Sequence, residues 1–178
     1  DKAAEIREAA RRSIGSHFSA KSLELKHTIK LISELSAQIR EIEAEIKKIM
    51  DAINSPVLSI PGISYAIGSM IVAEIGDFAR FDSPDKLLAF AGCSPTTYQS
   101  GQIYSSHASM EKRGSKYLRW ALINAARFVC NWEPTFATYL EKKRSEGKHY
   151  YVALSHAAKK LVRLIYHLET TGERFIPS

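Results

Sequence analysis

The sequence is poor in cysteine, with only Cys93 and Cys130 among 178 residues. Two cysteines cannot build the disulfide framework of a small secreted protein, and neither lies in a C-x-x-C pattern. We therefore expect a reducing, cytoplasmic environment. Long apolar runs are missing too, since no uninterrupted stretch approaches the roughly 18 to 20 residues of a membrane span and no signal peptide opens the chain. We expect no membrane partner.

Metal-ligand and phosphate-loop motifs are also missing. The six histidines are scattered, and the sequence holds no zinc pattern, Walker loop or glycine-rich dinucleotide turn. Glu74, Asp77, Asp82 and Asp85 are close in sequence, but the aspartates fit turns and helix starts. No two-metal site and no cofactor are predicted in this chain. His156 lies on the apolar face of the last predicted helix and is interpreted as a core residue.

What the sequence does contain is an ordinary globular composition, 45% hydrophobic and 25% charged, with an uneven charge. Residues 1–99 carry 12 Lys and Arg against 13 Asp and Glu, whereas residues 100–178 carry 13 against 6. All of the excess positive charge therefore lies in the second part. Lysine and arginine that neutralise phosphates release counterions, so this part suits nucleic acid. A solvated helix face is the alternative.

A heptad pattern dominates residues 25–53. Its members alternate in steps of three and four, which predicts a long helix with a coiled-coil seam. The partner is a second copy of the chain, which we favour, or another segment of the same protein. The predicted dimerisation residues are Ile32, Leu35, Ile39, Ile42, Ile46 and Ile49. We expect a homodimer or higher oligomer, with residues 1–54 as helical linker and coiled coil and residues 55–178 as the C-terminal domain.

Residues 55–75 resemble a helix-hairpin-helix motif. Ser55 and Pro56 suit a helix start, Pro61 and Gly62 a tight turn, and Ser64 the cap of a helix through Ile75. Such a turn directs backbone N–H groups at a phosphate, so Gly62 and Ser64 are candidate nucleic-acid contacts. An ordinary corner between two helices is the alternative.

The rest of the sequence also favours helices, and we predict an all-α fold. Helices are expected over 84–90, 116–131, 134–146 and 151–171, with a serine-rich loop at 96–110 that includes a short β-ribbon near Tyr98 and Ile103. Ser100 precedes Gly101 in this loop, and a serine near cations can attack a phosphodiester. From the residues alone, however, Ser-Gly in such a loop indicates a turn. The candidate phosphate contacts are Arg113, Lys116, Arg119 and Arg127.

Three stretches give the chain a specific resemblance. They are LSIPGISYAIGSMIVAEIGDFARFDSPDKLLAFAGCSPTTYQSG, KRGSKYLRWALINAAR and GKHYYVALSHAAKKLVRLIYHLETTGE. In sequence, order and spacing they resemble the C-terminal domain of the insertion-sequence family one-hundred-and-ten transposases, relatives of the Piv DNA invertases. The long heptad helix before them fits too, since these proteins place a coiled coil between two domains.

The resemblance implies a DNA transposase or site-specific recombinase with a composite active site. It implies a nuclease-like N-terminal domain whose three aspartates and one glutamate bind divalent metal such as Mg²⁺, and a C-terminal serine that forms a phosphoserine intermediate with DNA. Ser100 matches that serine, with Ser105 and Ser106 as alternatives. The resemblance also implies DNA and a bridging guide RNA as partners, and the cytoplasm or nucleoid of a prokaryotic cell.

The acidic domain is not in this sequence, which begins at Asp1 rather than Met. We therefore expect a fragment that is inactive by itself. The alternative function is a non-enzymatic module that binds nucleic acid and oligomerises. An aspartate-rich nuclease-like domain encoded upstream would favour the transposase.

Overall fold

The computed structural model describes residues 1–13, 15, 18–94 and 110–177, together with the backbone of 99–100 and 103–104. These residues form two compact units, 1–42 and 43–178. The boundary that the sequence predicts at residue 54 stays a prediction, because the second compact unit already begins within the long helix. Among the described residues, no helix is long and apolar enough to cross a membrane.

The first unit is helical. Helix α1 spans Lys2–Arg12 and begins at Asp1, whose carboxylate accepts a hydrogen bond from the backbone N–H of Ala3. Helix α2 spans Ser19–Ile53 without interruption and carries the heptad pattern from end to end. None of the residues of α1 is buried. The apolar residues of α2 within the first unit are exposed as well.

The second unit confirms the predicted all-α class. After the end of α2 come a 3₁₀ turn Pro56–Ser59, helix α3 Tyr65–Ile75, a 3₁₀ turn Phe78–Arg80 and helix α4 Pro84–Phe90. Helices α5 Lys116–Trp132, α6 Pro134–Ser145 and α7 Tyr150–Thr171 complete it. Two short strands, β1 Gln99–Ser100 and β2 Ile103–Tyr104, pair antiparallel where the ribbon was predicted.

Serine caps set the helix starts, largely as the sequence predicts. The hydroxyls of Ser64, Ser83 and Ser115 accept hydrogen bonds from the backbone N–H groups of Ile67, Lys86 and Leu118, which would otherwise be unpaired. Ser55 does the same for Val57, but the chain makes only a single 3₁₀ turn there. The helix-hairpin-helix motif therefore stays a prediction.

The core forms where α5 packs against α3, α6 and α7. Ile71, Leu118 and Leu161 are fully buried in it, and Met50 adds the last turns of α2 to the same cluster. The interpretation of His156 as a core residue is wrong, because His156 is only half-buried. The buried stripe of α7 runs through Ala153, Ala157 and Leu161, and His156 lies at its margin.

Hydrogen bonds from the C-terminal part of the chain hold the 3₁₀ turn Pro56–Ser59 in place. One carboxylate oxygen of Glu169, on α7, accepts hydrogen bonds from the hydroxyl of Ser55 and from the backbone N–H of Val57, the latter at 3.0 Å. The backbone N–H of Phe175 donates to the hydroxyl of Ser59 at 2.8 Å. Residues about 115 positions apart in sequence therefore hold the first turn in place.

Candidate active site and nucleic-acid interface

The two stretches of chain that flank the serine-bearing segment, residues 95–109, are hydrogen-bonded to each other. We call these stretches, residues 90–94 and 110–115, the neck. The N–H of Glu111 donates to the carbonyl of Ser94 at 2.9 Å, and the N–H of Lys112 donates to the carbonyl of Gly92 at 3.1 Å. The N–H of Ser115 donates to the carbonyl of Phe90 at 3.3 Å. The neck is thus a short backbone ladder at the base of the segment.

Arg119 joins both sides of the neck. One nitrogen of its guanidinium donates to the carbonyl of Ala91 and to the carbonyl of Lys112, each at 3.3 Å. The side chain is partly buried, and it reaches these groups from the first turn of α5. The role in phosphate binding that the sequence suggests for Arg119 stays a prediction. In this structure the residue holds the neck together.

Two glycines allow the sides of the neck to approach. Gly92 has φ +65°, and a Cβ there would lie 2.5 Å from the carbonyl oxygen of Arg113. Gly114 has φ +125°, and a Cβ there would lie 2.1 Å from the carbonyl oxygen of Phe90. Backbone packs directly on backbone at both positions, so neither has room for a side chain.

The start of α5 is tied to α3 beside the neck. The hydroxyl of Ser115 accepts from the N–H of Leu118 at 3.1 Å and donates to a carboxylate oxygen of Glu74 at 2.5 Å. The negative charge of a carboxylate also interacts favourably with the positive, N-terminal end of a helix dipole. Glu74 therefore holds α5 in register with α3. It is not part of an acidic metal cluster, because the described residues contain no group of three or more His, Cys, Asp or Glu that could hold a metal ion.

The structure places the backbone of Ser100 in β1, opposite Ile103 in β2. The side chain of Ser100, and all of Ser105 and Ser106, lie outside the described residues. The choice among the three serines therefore stays a prediction. Arg113 stands at the neck with its side chain 88% exposed, and its guanidinium lies 3.8 Å from the carboxylate of Glu111.

Lys116 and Arg127 lie on one exposed face of α5, since a spacing of 11 residues returns to the same side of a helix. Trp120 lies between them on that face and is 56% exposed. An aromatic ring between two cations suits contact with nucleic acid, because bases stack on rings and cations bind phosphates. The sequence analysis missed Trp120, although its spacing from Lys116 and Arg127 would have identified it.

Gly62 and Ser64 are placed differently from one another. Gly62 packs against the backbone of α5, where a Cβ would lie 2.8 Å from the carbonyl oxygen of Phe128. Ser64 is exposed and caps α3 with its hydroxyl, which accepts from the N–H of Ile67 at 3.4 Å. Both residues have structural roles in the turn, and their contact with phosphate stays a prediction.

The cysteines do not compete with a serine as nucleophiles. Burial raises the pKa of the Cys93 thiol, and the charges of Arg119 and Lys159 only partly oppose this. Burial also raises the pKa of Cys130 to about 11. Both thiols are free and buried, so they remain protonated and unreactive near pH 7.

The predicted dimerisation residues form an apolar stripe along α2. Ile32, Leu35, Ile39, Ile42 and Ile49 are each 47–59% exposed, and Ile46 is partly buried. In the second unit, Ile46, Ile49, Met50 and Ile53 line an apolar groove with residues of α3. Apolar surface of this extent is costly in water, which is consistent with a partner on this helix.

Comparison with known proteins identifies the family. Residues 54–141 match the family described as "Transposase IS116/IS110/IS902 family". This confirms the resemblance drawn from the sequence.

Several relatives cover most of the chain, among them two proteins of insertion elements. The "Insertion element IS110 uncharacterized 43.6 kDa protein" of Streptomyces coelicolor is 31% identical over 148 residues, which are 80% of this chain and 36% of that protein. The "Transposase for insertion sequence element IS1328" of Yersinia enterocolitica is 30% identical over 146 residues, 79% of this chain and 43% of that protein.

A "Pilin gene-inverting protein" of Moraxella bovis is 29% identical over 113 residues, 63% of this chain and 35% of that protein. The chain thus spans less than half the length of each of these relatives.

Proposed function

Since the chain belongs to the transposase IS116/IS110/IS902 family through residues 54–141, we propose that it is the serine-bearing part of a DNA transposase or site-specific recombinase. In this proposal the chain binds DNA and supplies Ser100 as the nucleophile for strand cleavage and transfer. The observation that carries it is the neck. It holds the two stretches that flank the segment containing Ser100 against the start of α5, and the side chains of Arg113, in the neck, and Lys116, at the start of α5, are exposed.

The cleavage step is a displacement at phosphorus. The Ser100 hydroxyl oxygen forms a bond to the phosphorus atom while the bond from phosphorus to one sugar oxygen breaks, and the serine proton ends on the departing sugar hydroxyl. The DNA strand is then joined to the protein as a phosphoserine ester. Attack of a sugar hydroxyl from another strand reverses these changes and frees the serine. Arg113 and Lys116 would stabilise the charge on the phosphate oxygens.

The resemblance places a divalent metal in a nuclease-like domain that this sequence does not contain. When bound there, Mg²⁺ would polarise the phosphate oxygens and assist departure of the sugar oxygen. The residues described here would hold and orient the DNA. A bridging guide RNA would bind through the same class of contact, since it presents the same phosphate backbone.

Peptide mapping of the covalent intermediate tests the assignment of the nucleophile. A protein that joins this chain to its nuclease-like domain is incubated with its DNA and Mg²⁺, and the denatured product is digested and sequenced by mass spectrometry. We expect a nucleotide attached to Ser100. Attachment at Ser105 or Ser106 would reassign the nucleophile, and an adduct outside residues 95–109 would refute the role of the segment.

The second candidate function is a non-enzymatic module that binds nucleic acid and oligomerises. The exposed face of α5 with Lys116, Trp120 and Arg127 suits binding without chemistry. The two functions differ in their covalent products. A module would bind DNA in a salt-dependent manner but would leave no protein–DNA adduct, even when an acidic nuclease-like domain is supplied.

We also propose that α2 forms a coiled coil with a second copy of the chain. A double Ile39→Asp, Ile46→Asp variant places charge in the seam, and burial of an unpaired carboxylate is costly. We expect the variant to sediment at half the mass of the wild-type dimer. A control variant Lys26→Asp, Lys30→Asp, at exposed positions off the seam, should keep the wild-type mass. An unchanged mass for the seam variant would contradict the coiled coil.

A further inference from the structure

Residues 141–163, from the end of α6 through the first half of α7, are unusually rich in positive charge. They carry seven Lys and Arg against two Glu. No site residue predicted from the sequence lies among them. Helices α6 and α7 pack against one another.

The aromatic ring of Tyr139 shows how closely the cations approach. The ammonium group of Lys143, on α6, lies 5.6 Å from the centre of this ring, and that of Lys160, on α7, lies 5.1 Å from it. Lys160 is also 5.1 Å from the ring centre of Phe136. The two lysines converge from different helices, and ring faces stabilise both of them.

Two carboxylates offset part of this charge. Asp85, on α4, lies 3.0 Å from Arg163, and Glu146 contacts two of the lysines. The two carboxylate oxygens of Glu146 each lie within 3.0 Å of Lys143, and one of them also lies 2.8 Å from Lys148. These hydrogen bonds lower the pKa of Glu146 to about 2, so it is ionised at every physiological pH. One negative charge is thus shared by two ammonium groups, and the pair of contacts leaves a net positive charge.

His156 lies among these cations on α7. Burial lowers its pKa, and the charges of Lys159, Lys143 and Lys148 lower it further, while Glu146 opposes them. The charges of Lys159 on α7, Lys143 on α6 and Lys148 in the turn between them therefore all act on this imidazole. The imidazole is neutral near pH 7 because a further positive charge is disfavoured there.

Helix α7, which carries Lys159 and Lys160, packs against α4, whose last residue opens the neck. The charges of Lys159 and Arg119 both oppose the effect of burial on the pKa of Cys93, a neck residue. We call the set Lys143, Lys148, His156, Lys159 and Lys160 the α6–α7 cationic surface.

We propose that the α6–α7 cationic surface binds the phosphodiester backbone of the DNA whose strand is presented to Ser100. The surface carries more positive charge than Glu146 can offset, and Lys143, Lys148 and Lys160 are held in place by aromatic rings or by Glu146. The helix that carries Lys159 and Lys160 packs against α4, which leads into the neck. Such a surface suits phosphates, because their negative charge attracts lysine side chains regardless of the base sequence. This inference rests on the proposed function and adds a second DNA contact away from α5.

Salt dependence of DNA binding tests the surface. A Lys148→Gln, Lys159→Gln variant is compared with wild type by titrating a 30-base-pair duplex of arbitrary sequence between about 50 and 300 mM salt. Each lost phosphate contact reduces the slope of log affinity against log salt by about 0.9, so we expect a slope smaller by about 2 and a ten- to hundredfold loss of affinity near 0.1 M salt. A Lys26→Gln, Lys30→Gln variant has the same net charge and should keep the wild-type slope.

The pKa of His156, followed by nuclear magnetic resonance, gives an independent measurement. Phosphates at the surface would favour the imidazolium, so DNA should raise the pKa of His156, whereas chloride at equal ionic strength should not. An unchanged pKa, together with equal slopes for the two variants, would overturn the surface while leaving DNA binding by wild type intact. If wild type itself fails to bind DNA, the proposed function and this inference both fail.

Discussion

Replacement of Ser100 by alanine should abolish recombination in a protein that carries both this chain and the nuclease-like domain. The hydroxyl oxygen of Ser100 is the atom that bonds to phosphorus in the proposed step, and alanine has no substitute for it. Loss of a covalent nucleophile commonly costs at least about 10³-fold in rate. Recombination frequency, measured by a plasmid excision assay, is therefore expected to fall to background.

Binding measurements separate this result from a structural defect. A single hydroxyl contributes little to DNA affinity, so Ser100→Ala should bind duplex DNA as wild type does. Ser105→Ala and Ser106→Ala are matched controls in the same segment and should retain recombination. Wild-type recombination by Ser100→Ala, with loss in one of the two controls, would move the nucleophile to that serine.

Replacement of Gly114 by alanine should cause the largest loss of stability of any single methyl addition at the neck. The new Cβ would lie 2.1 Å from the carbonyl oxygen of Phe90, and φ of +125° is strained for any residue with a side chain. We expect the free energy of unfolding to fall by at least about 2 kcal/mol, as measured by urea denaturation. The neck would also open, which displaces the serine-bearing segment.

Gly147→Ala separates the two causes. Gly147 has φ +79°, but a Cβ there would meet nothing within 4 Å. It therefore bears the backbone strain alone, and we expect a loss of only about 1 kcal/mol. Equal destabilisation by Gly114→Ala and Gly147→Ala would mean that the close approach of the two sides of the neck does not affect stability. That result would contradict the proposed role of the neck.

The local features of the fold could be predicted from sequence because short-range chemistry determines them. Ser64, Ser83 and Ser115 each precede a helix start, and their hydroxyls cap the helix as expected. The stripes of apolar residues on α2 and α5 follow the helical period. Helix α5 was therefore predicted to within one residue of its observed bounds, and the predicted end of α2 at residue 53 is the observed one, although α2 begins six residues before the predicted start.

The site depends instead on contacts between distant residues, which no local pattern encodes. The hydrogen bond from Ser115 to Glu74 joins residues 41 apart, and the bond from Arg119 to Ala91 joins residues 28 apart. A glutamate on a helix and an arginine on another give no sign of these partners. The neck could therefore not be predicted, although each residue in it was visible.

His156 shows the limit of periodicity itself. The helical period places His156 on the same side of α7 as its apolar residues, and this led to the prediction of a core residue. A stripe on a helix is broad, and residues at its margin lie at the surface. Only the packing of α6 on α7 reveals that the margin of this stripe is where Lys143, Lys148 and Lys159 act on one imidazole.

The bond from Glu169 to Ser55 and Val57 bears on protein engineering. The match to the transposase family description spans residues 54–141, yet the carboxylate that holds its opening turn comes from Glu169. Leu154, Leu161 and Ile165, also beyond residue 141, fill the centre of the fold. A chimera that joins only residues 54–141 to another nuclease would lack the helix that fills the core and carries Glu169. A transferable domain should therefore extend to Phe175, whose backbone N–H donates a hydrogen bond to the hydroxyl of Ser59.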